Sequence, residues 1–220
     1  MATRSPISGS QLVPAPRRLW DLVKDAVPPM HAAGRPFVAG ALTFGVFGWR
    51  HGWSRTASLV AAGAVALAFR DPKRVPPTLA GAVVAPADGV VVEVGEAVPP
   101  EELGLGEASL VRVVVRTSLT DPYVLRAPVA GRVWVRAEDG STLVIVREDG
   151  AEIGLVQTAA TPVGRLTCDV AMGDELTLGQ TYGLVRFGSL VEVYLPAGTL
   201  VAPGVGQRTV GAETLLGVVA

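Results

Sequence analysis

The sequence predicts a mainly β domain of two packed sheets, placed behind a pair of apolar helices. Three observations lead there. Valine-rich runs of five to seven residues recur at 90–94, 111–115, 142–146, 153–157 and 190–195, with the length and β-branched content of strands. Asp88-Gly89, Asp139-Gly140 and Asp149-Gly150 punctuate them and read as turns. Two long uncharged apolar runs, 37–49 and 56–69, precede the first of these strands.

Residues 1–35 read as a flexible basic segment. They carry several prolines and no apolar core of the kind a secretory signal needs. Residues 36–74 read as an apolar hairpin. Its runs of 13 and 14 residues span roughly 20 Å each as helices, short of the roughly 30 Å hydrocarbon core. A hairpin dipping into one leaflet fits better than two full spans. Trp49, Trp53 and the arginines between the runs would sit at the interface. Residues 1–74 hold 10 Lys or Arg against 3 Asp or Glu, and residues 75–220 hold 9 against 17. A basic appendage beside an acidic domain suits an anionic surface. Interleaving with apolar runs makes that surface lipid rather than nucleic acid.

Residues 75–220 read as the β-rich domain. With 49% apolar but only 5% aromatic residues in the chain, the core must be built from Val, Leu and Ala. Residues 134–146 form a plausible hairpin. Residues 173–181 and 206–214 form a quasi-repeat at an offset of 33. Such Gly-bounded turns resemble the barrel-sandwich folds of lipoyl and biotinyl carriers. A carrier needs a lysine at a hairpin tip, and the only lysines are Lys24 and Lys73. The single Cys168 excludes an intrachain disulfide, and the only histidines, His31 and His51, make no metal cluster.

The most informative segment is Arg186-Phe187-Gly188-Ser189-Leu190, where a Gly-Ser pair separates two apolar runs. Glycine there marks a bend or a close backbone approach. The segment resembles the self-cleavage site of phosphatidylserine decarboxylases in their compact bacterial form. Arg35-Pro36-Phe37, Phe69-Arg70-Asp71-Pro72, Pro86-Ala87-Asp88-Gly89, Arg126-Ala127-Pro128-Val129-Ala130-Gly131 and the stretch 205–215 resemble further motifs of that family, in the same order.

The resemblance implies a lyase made as a zymogen. Autocatalytic cleavage between Gly188 and Ser189 would convert Ser189 into a covalent pyruvoyl group and leave residues 189–220 as a second chain. A Schiff base to that group would decarboxylate phosphatidylserine to phosphatidylethanolamine and CO2. Asp88 matches the family aspartate that orients or activates the base for self-cleavage. Arg126, Arg165 and Arg186 are candidates for the phospholipid phosphate. The place is the cytoplasmic face of the cell membrane, peripheral or hairpin-anchored. One departure stands out: Tyr123 occupies the position of the family histidine, and no histidine follows residue 51. A phenol is a poor base at neutral pH but can donate a proton. Leu190 also replaces a usual arginine, and the stretch 158–165 keeps one arginine where two are usual. The alternative implied is a diverged paralogue that binds lipid or a partner without turnover.

Overall fold

The computed structural model describes residues 29–47, 52–159 and 164–219. The basic tail and the connection carrying Trp49 lie outside them. Two helices, α1 (Arg35–Phe47) and α2 (Gly52–Ala68), precede thirteen strands. These are β1 (Ala82–Val84), β2 (Gly89–Ala97), β3 (Leu110–Thr117), β4 (Val124–Arg126), β5 (Gly131–Arg136), β6 (Thr142–Val146), β7 (Glu152–Ala159), β8 (Leu166–Cys168), β9 (Glu175–Leu176), β10 (Thr181–Val185), β11 (Ser189–Leu195), β12 (Arg208–Thr209) and β13 (Leu215–Val218). All five valine-rich runs are strands, and residues 134–146 form the β5–β6 hairpin.

The architecture is mainly β, as expected, but the strands form three open sheets rather than two. The large sheet runs β12-β2-β3-β11-β7-β6-β5-β9; β4-β10-β8 and β1-β13 are separate. Proline separates them. Pro86 and Pro128 lie between β1 and β2 and between β4 and β5. Lacking an N–H, each interrupts the ladder. The flanking residues bond across instead: Val84 N–H to Pro128 O at 2.9 Å, Arg126 N–H to Pro86 O at 2.8 Å.

That reciprocal pair marks an internal two-fold repeat. Segments 82–91 and 124–133 correspond at an offset of 42, and their hydrogen bonds match. Ala85 N–H reaches Thr214 O and Ala127 N–H reaches Gln180 O; Val91 N–H reaches Gln207 O and Val133 N–H reaches Asp174 O. The large sheet is accordingly palindromic, with β12, β2, β3 and β11 matching β9, β5, β6 and β7. The 33-residue quasi-repeat is one trace of this symmetry: it places β9 and β12 on opposite sheet edges.

Asp139-Gly140 and Asp149-Gly150 are turns, each closed by an aspartate oxygen that accepts the N–H two residues on. Asp88-Gly89 is not a turn. Gly89 opens β2, where a side chain would collide with the Arg116 carbonyl; its counterpart Gly131 meets the Val146 carbonyl in the same way.

Along β11, Ser189, Val191, Val193 and Leu195 face the core while Leu190 and Glu192 are partly exposed. The main core gathers Val83, Val91, Val113, Leu125, Val133, Ile145, Leu155, Val193 and Leu216. Each such buried side chain contributes about 1.5–3 kcal/mol. A second cluster, Leu103, Val144 and Tyr194, covers the other face and explains why β6 is buried on both sides. Ser58 Oγ donates to the Ala41 carbonyl and joins the two helices. Tyr123 N–H donates to Ala68 O at 3.0 Å and fixes the end of α2 to the β domain.

Candidate active site

Ser189 is the first residue of β11 and is fully buried. The chain reaches it from β10 through Arg186, Phe187 and Gly188. Phe187 has φ 65° and Gly188 φ 80°. Glycine adopts this region freely, but for phenylalanine it costs about 1–3 kcal/mol, so strain is stored one residue before the 188–189 bond. Across the sheet Ser189 pairs with Thr117 of β3 and Ala159 of β7. Thr117 Oγ1 accepts the Ser189 N–H at 2.8 Å and lies 3.0 Å from the Ser189 hydroxyl. One buried oxygen thus holds both the amide nitrogen and the hydroxyl of this residue.

Tyr123 lies between the helices and the 186–188 connection. Its ring stands edge-on to Phe69 at 5.5 Å and tilted against Phe187 at 6.1 Å; Phe69 in turn stacks on Phe37 at 5.4 Å. Its hydroxyl donates to the Leu119 carbonyl at 3.3 Å. Burial pushes the phenol above its ordinary pKa, against a smaller opposing pull from the Phe187 backbone N–H. Tyr123 therefore borders the connection to Ser189 as a neutral phenol.

Asp88 stands just before β2. Val90 of β2 and Leu190 of β11 both pair with Arg116, which puts Asp88 and Ser189 at one end of the sheet, about 10 Å apart at two strand spacings. The Asp88 carboxylate meets Arg74 at 2.8 Å and accepts the Gly211 N–H at 2.7 Å. No hydrogen bond among the described residues joins it to Ser189 or Tyr123.

The three arginines separate. Arg126 is buried and its donors are committed: it pairs with Asp71 and donates to Pro72 O at 2.7 Å and Gly179 O at 3.1 Å. It clamps the segment after α2 to the β domain. Arg165 and Arg186 are neighbours, joined by Arg186 N–H to Arg165 O at 3.1 Å. Arg165 is exposed, and the Arg186 guanidinium lies 5.4 Å above the Phe37 ring.

Sequence reading missed Thr117, which meets Ser189 only through strands 72 residues apart. It also missed a buried pair on the same sheet face. Gln157 of β7 pairs with Val191, two positions along from the Ser189–Ala159 pair. Its Nε2 donates to the Tyr182 hydroxyl at 3.0 Å, while its Oε1 is buried without a partner. Burial pushes the Tyr182 phenol far up; Cys168 adds to this and the Gln157 hydrogen bond opposes it.

The sequence profile of the phosphatidylserine decarboxylase family matches residues 62–143 and 136–217. The phosphatidylserine decarboxylase proenzyme of Mycobacterium marinum is 44% identical over 230 residues, covering 97% of this chain and 96% of that one. The proenzyme of Mycobacterium avium is 44% identical over 219 residues, covering 92% and 91%. Among solved structures, the glucose permease IIA from Mycoplasma capricolum overlaps 62% of this chain and 94% of its own at 19% identity and a TM-score of 0.42, too distant a likeness to bear on fold or function. With the two profile segments together reaching from the second half of α2 through the β domain and the relatives aligned over nearly their whole length, the chain belongs to the phosphatidylserine decarboxylase family.

Proposed function

We propose that the chain is a phosphatidylserine decarboxylase proenzyme that cleaves itself between Gly188 and Ser189. The observation that carries this is the buried Ser189, held at both polar atoms by Thr117 and preceded by two positive-φ residues. The Ser189 hydroxyl attacks the Gly188 carbonyl carbon and the 188–189 C–N bond breaks, giving an ester and a free amine. Elimination then expels the Gly188 carboxylate, and water hydrolyses the remaining enamine, as its imine, to the ketone with loss of ammonia. Thr117 keeps the leaving nitrogen and the attacking oxygen in one place, and the twist at Phe187-Gly188 relaxes as the bond breaks. The residues present fit a pyruvoyl group formed at position 189, which would supply an electron sink for the carbon dioxide leaving a bound amino acid.

For the phospholipid phosphate we assign Arg165 and Arg186, which flank the approach to Phe187, and give Arg126 the clamping role its contacts support. The helices supply the membrane contact. Phe37, Leu42, Leu59, Val60 and Leu67 are exposed on them, and no helix among the described residues is long and apolar enough to cross a membrane. The exposed apolar side chains support the hairpin of 36–74 dipping into one leaflet, with the β domain of 75–220 beside it; the cytoplasmic face is what the family resemblance implies. The internal repeat supports the likeness to barrel-sandwich folds.

A second reading is a family member without turnover. It draws on one observation: among the described residues, the only side chain hydrogen-bonded to Ser189 is Thr117, which is no base at neutral pH. Intact mass of the purified protein decides. A fragment of residues 189–220 with a blocked N-terminus, together with CO2 release from phosphatidylserine vesicles, supports the enzyme; an uncut chain with an ordinary serine overturns it.

A further inference from the structure

Gln157 and Tyr182 form a buried polar pair that the fold itself does not require. The two-fold repeat provides the comparison within the molecule. Arg116 pairs with Leu190 as its counterpart Val146 pairs with Glu152, so each β7 position corresponds to the β11 position 38 residues later. Gln157 therefore corresponds to Leu195. Tyr182 lies between Thr181 and Gly183 at a register shift against β4, and Leu216 lies between Leu215 and Gly217 at the matching shift against β1. Leu195 and Leu216 are both fully buried. The same scaffold thus closes with two leucines in one half and with glutamine and tyrosine in the other. Only the polar half holds the serine, because Ser189 corresponds to Ala151 and Thr117 to Arg147.

The Gln157 side chain points to the same sheet face as Ser189. It is the diagonal neighbour across β7 and β11, at about 7–8 Å between Cα atoms, within reach of a long side chain. A buried amide end without a partner is costly, and a native protein keeps one where something else will meet it. Tyr182 fixes the amide from behind, and its hydroxyl, fully buried and held neutral, keeps that contact across working pH.

We propose that Gln157 is a substrate-binding residue whose free amide oxygen accepts a hydrogen bond from the amine nitrogen of an amino-acid head group brought to position 189, with Tyr182 as the residue that positions it. This rests on the assignment of position 189 as the reacting centre. An acceptor there orients the amine's lone pair toward position 189, and in a dry site a neutral amide does so without an unpaired charge.

The test uses the full chain with Gln157→Leu and Tyr182→Phe. Hydroxylamine, followed by mass analysis of the 189–220 fragment, counts the reactive carbonyl. Phosphatidylserine in detergent micelles with cyanoborohydride, read by the same mass, reports capture of the amine. Gln157→Leu is expected to process and to react with hydroxylamine like the parent, to melt no lower than it, and to capture phosphatidylserine at least tenfold more slowly. Tyr182→Phe is expected to raise KM severalfold with kcat kept. Capture by Gln157→Leu within twofold of the parent would overturn the proposal. So would a folded Gln157→Leu that fails to process, which would place the residue in maturation. Should Gln157→Leu not fold, an unchanged KM in Tyr182→Phe overturns it. A parent chain that yields neither fragment nor hydroxylamine adduct removes the underlying assignment, and this inference with it.

Discussion

Ser189 and Thr117 face each other across β11 and β3 with their hydroxyl oxygens 3.0 Å apart, and the same Thr117 oxygen accepts the Ser189 N–H. Both residues are buried. Removing the Thr117 hydroxyl leaves two polar groups of Ser189 without their partner. Thr117→Val is therefore expected to destabilise the chain by about 1–3 kcal/mol and to slow self-cleavage at least tenfold, while Thr117→Ser keeps most of the rate. A gel time course of fragment release checks the rate, and urea unfolding of the freshly purified, still uncut chains with Ser189 in place checks the stability.

Tyr123 is expected to set the pH behaviour of the proposed maturation. Burial holds its phenol above the ordinary value, so it accepts no proton in the neutral range. Processing of the natural chain is expected to be slow and nearly flat between about pH 6 and about pH 9, below a phenol's ordinary pKa of about 10. Tyr123→His should accelerate it, with a rise through about pH 6.5 as the imidazole becomes neutral. Ser189→Ala should abolish it in both. Fast processing that survives Asp88→Ala and ignores pH would show that the base lies elsewhere.

Asp121 carries an acid-sensitive contribution to stability. Burial pushes its carboxyl up, but the Ser118 N–H and hydroxyl and the Arg208 guanidinium outweigh this and hold it below the ordinary carboxylate range. A carboxyl depressed in the folded state stabilises above its unfolded pKa of about 3.9 and loses that contribution as pH falls through the folded value. Melting temperature should drop below about pH 4 in the parent, and more shallowly in Asp121→Asn, whose midpoint at neutral pH is already lower. Equal slopes in the two proteins would dismiss this.

Arg165 and Arg186 should act on lipid capture rather than chemistry. Charge reversal at Arg186 is expected to raise KM for phosphatidylserine vesicles about tenfold, with weaker salt dependence than the parent. Leu59→Glu combined with Leu67→Glu should abolish pelleting with anionic vesicles while leaving self-cleavage intact, since both side chains are exposed and the side-chain hydrogen bonds of Ser189 go to Thr117. Vesicle binding that persists would place the membrane contact outside the helices.

Much of the scaffold was legible because it is local. Strands with a dry and a wet face advertise themselves as valine alternation, and Asp139-Gly140 and Asp149-Gly150 as turns. Asp88-Gly89 misled because glycine serves close approach as readily as turning: its demand comes from the Arg116 carbonyl, a neighbour no local pattern names. The third sheet followed from Pro86 and Pro128 facing each other, a pairing 42 residues apart. For the site, Ser189 was legible as Gly-Ser between apolar runs. Thr117 and Gln157 were not, because a hydroxyl or amide at a strand position becomes significant only through the register of non-neighbouring strands. Arg126 looked like an anion ligand because charge says nothing of commitment, and its guanidinium is taken by Asp71 and two carbonyls.

The strand that begins at Ser189 sits between β3 and β7, in the middle of the large sheet, and the residues after it close one sheet edge as β12 and complete the small sheet as β13. A cut before Ser189 therefore detaches no lobe; it divides ownership of one interlocked core between two polypeptides. The precursor can fold as a unimolecular event. The matured protein, once denatured, must reassemble from two molecules, and its recovery then depends on concentration. Maturation on this scaffold is a one-way passage: native structure made before the cut persists by its unfolding barrier rather than by ready refolding after it.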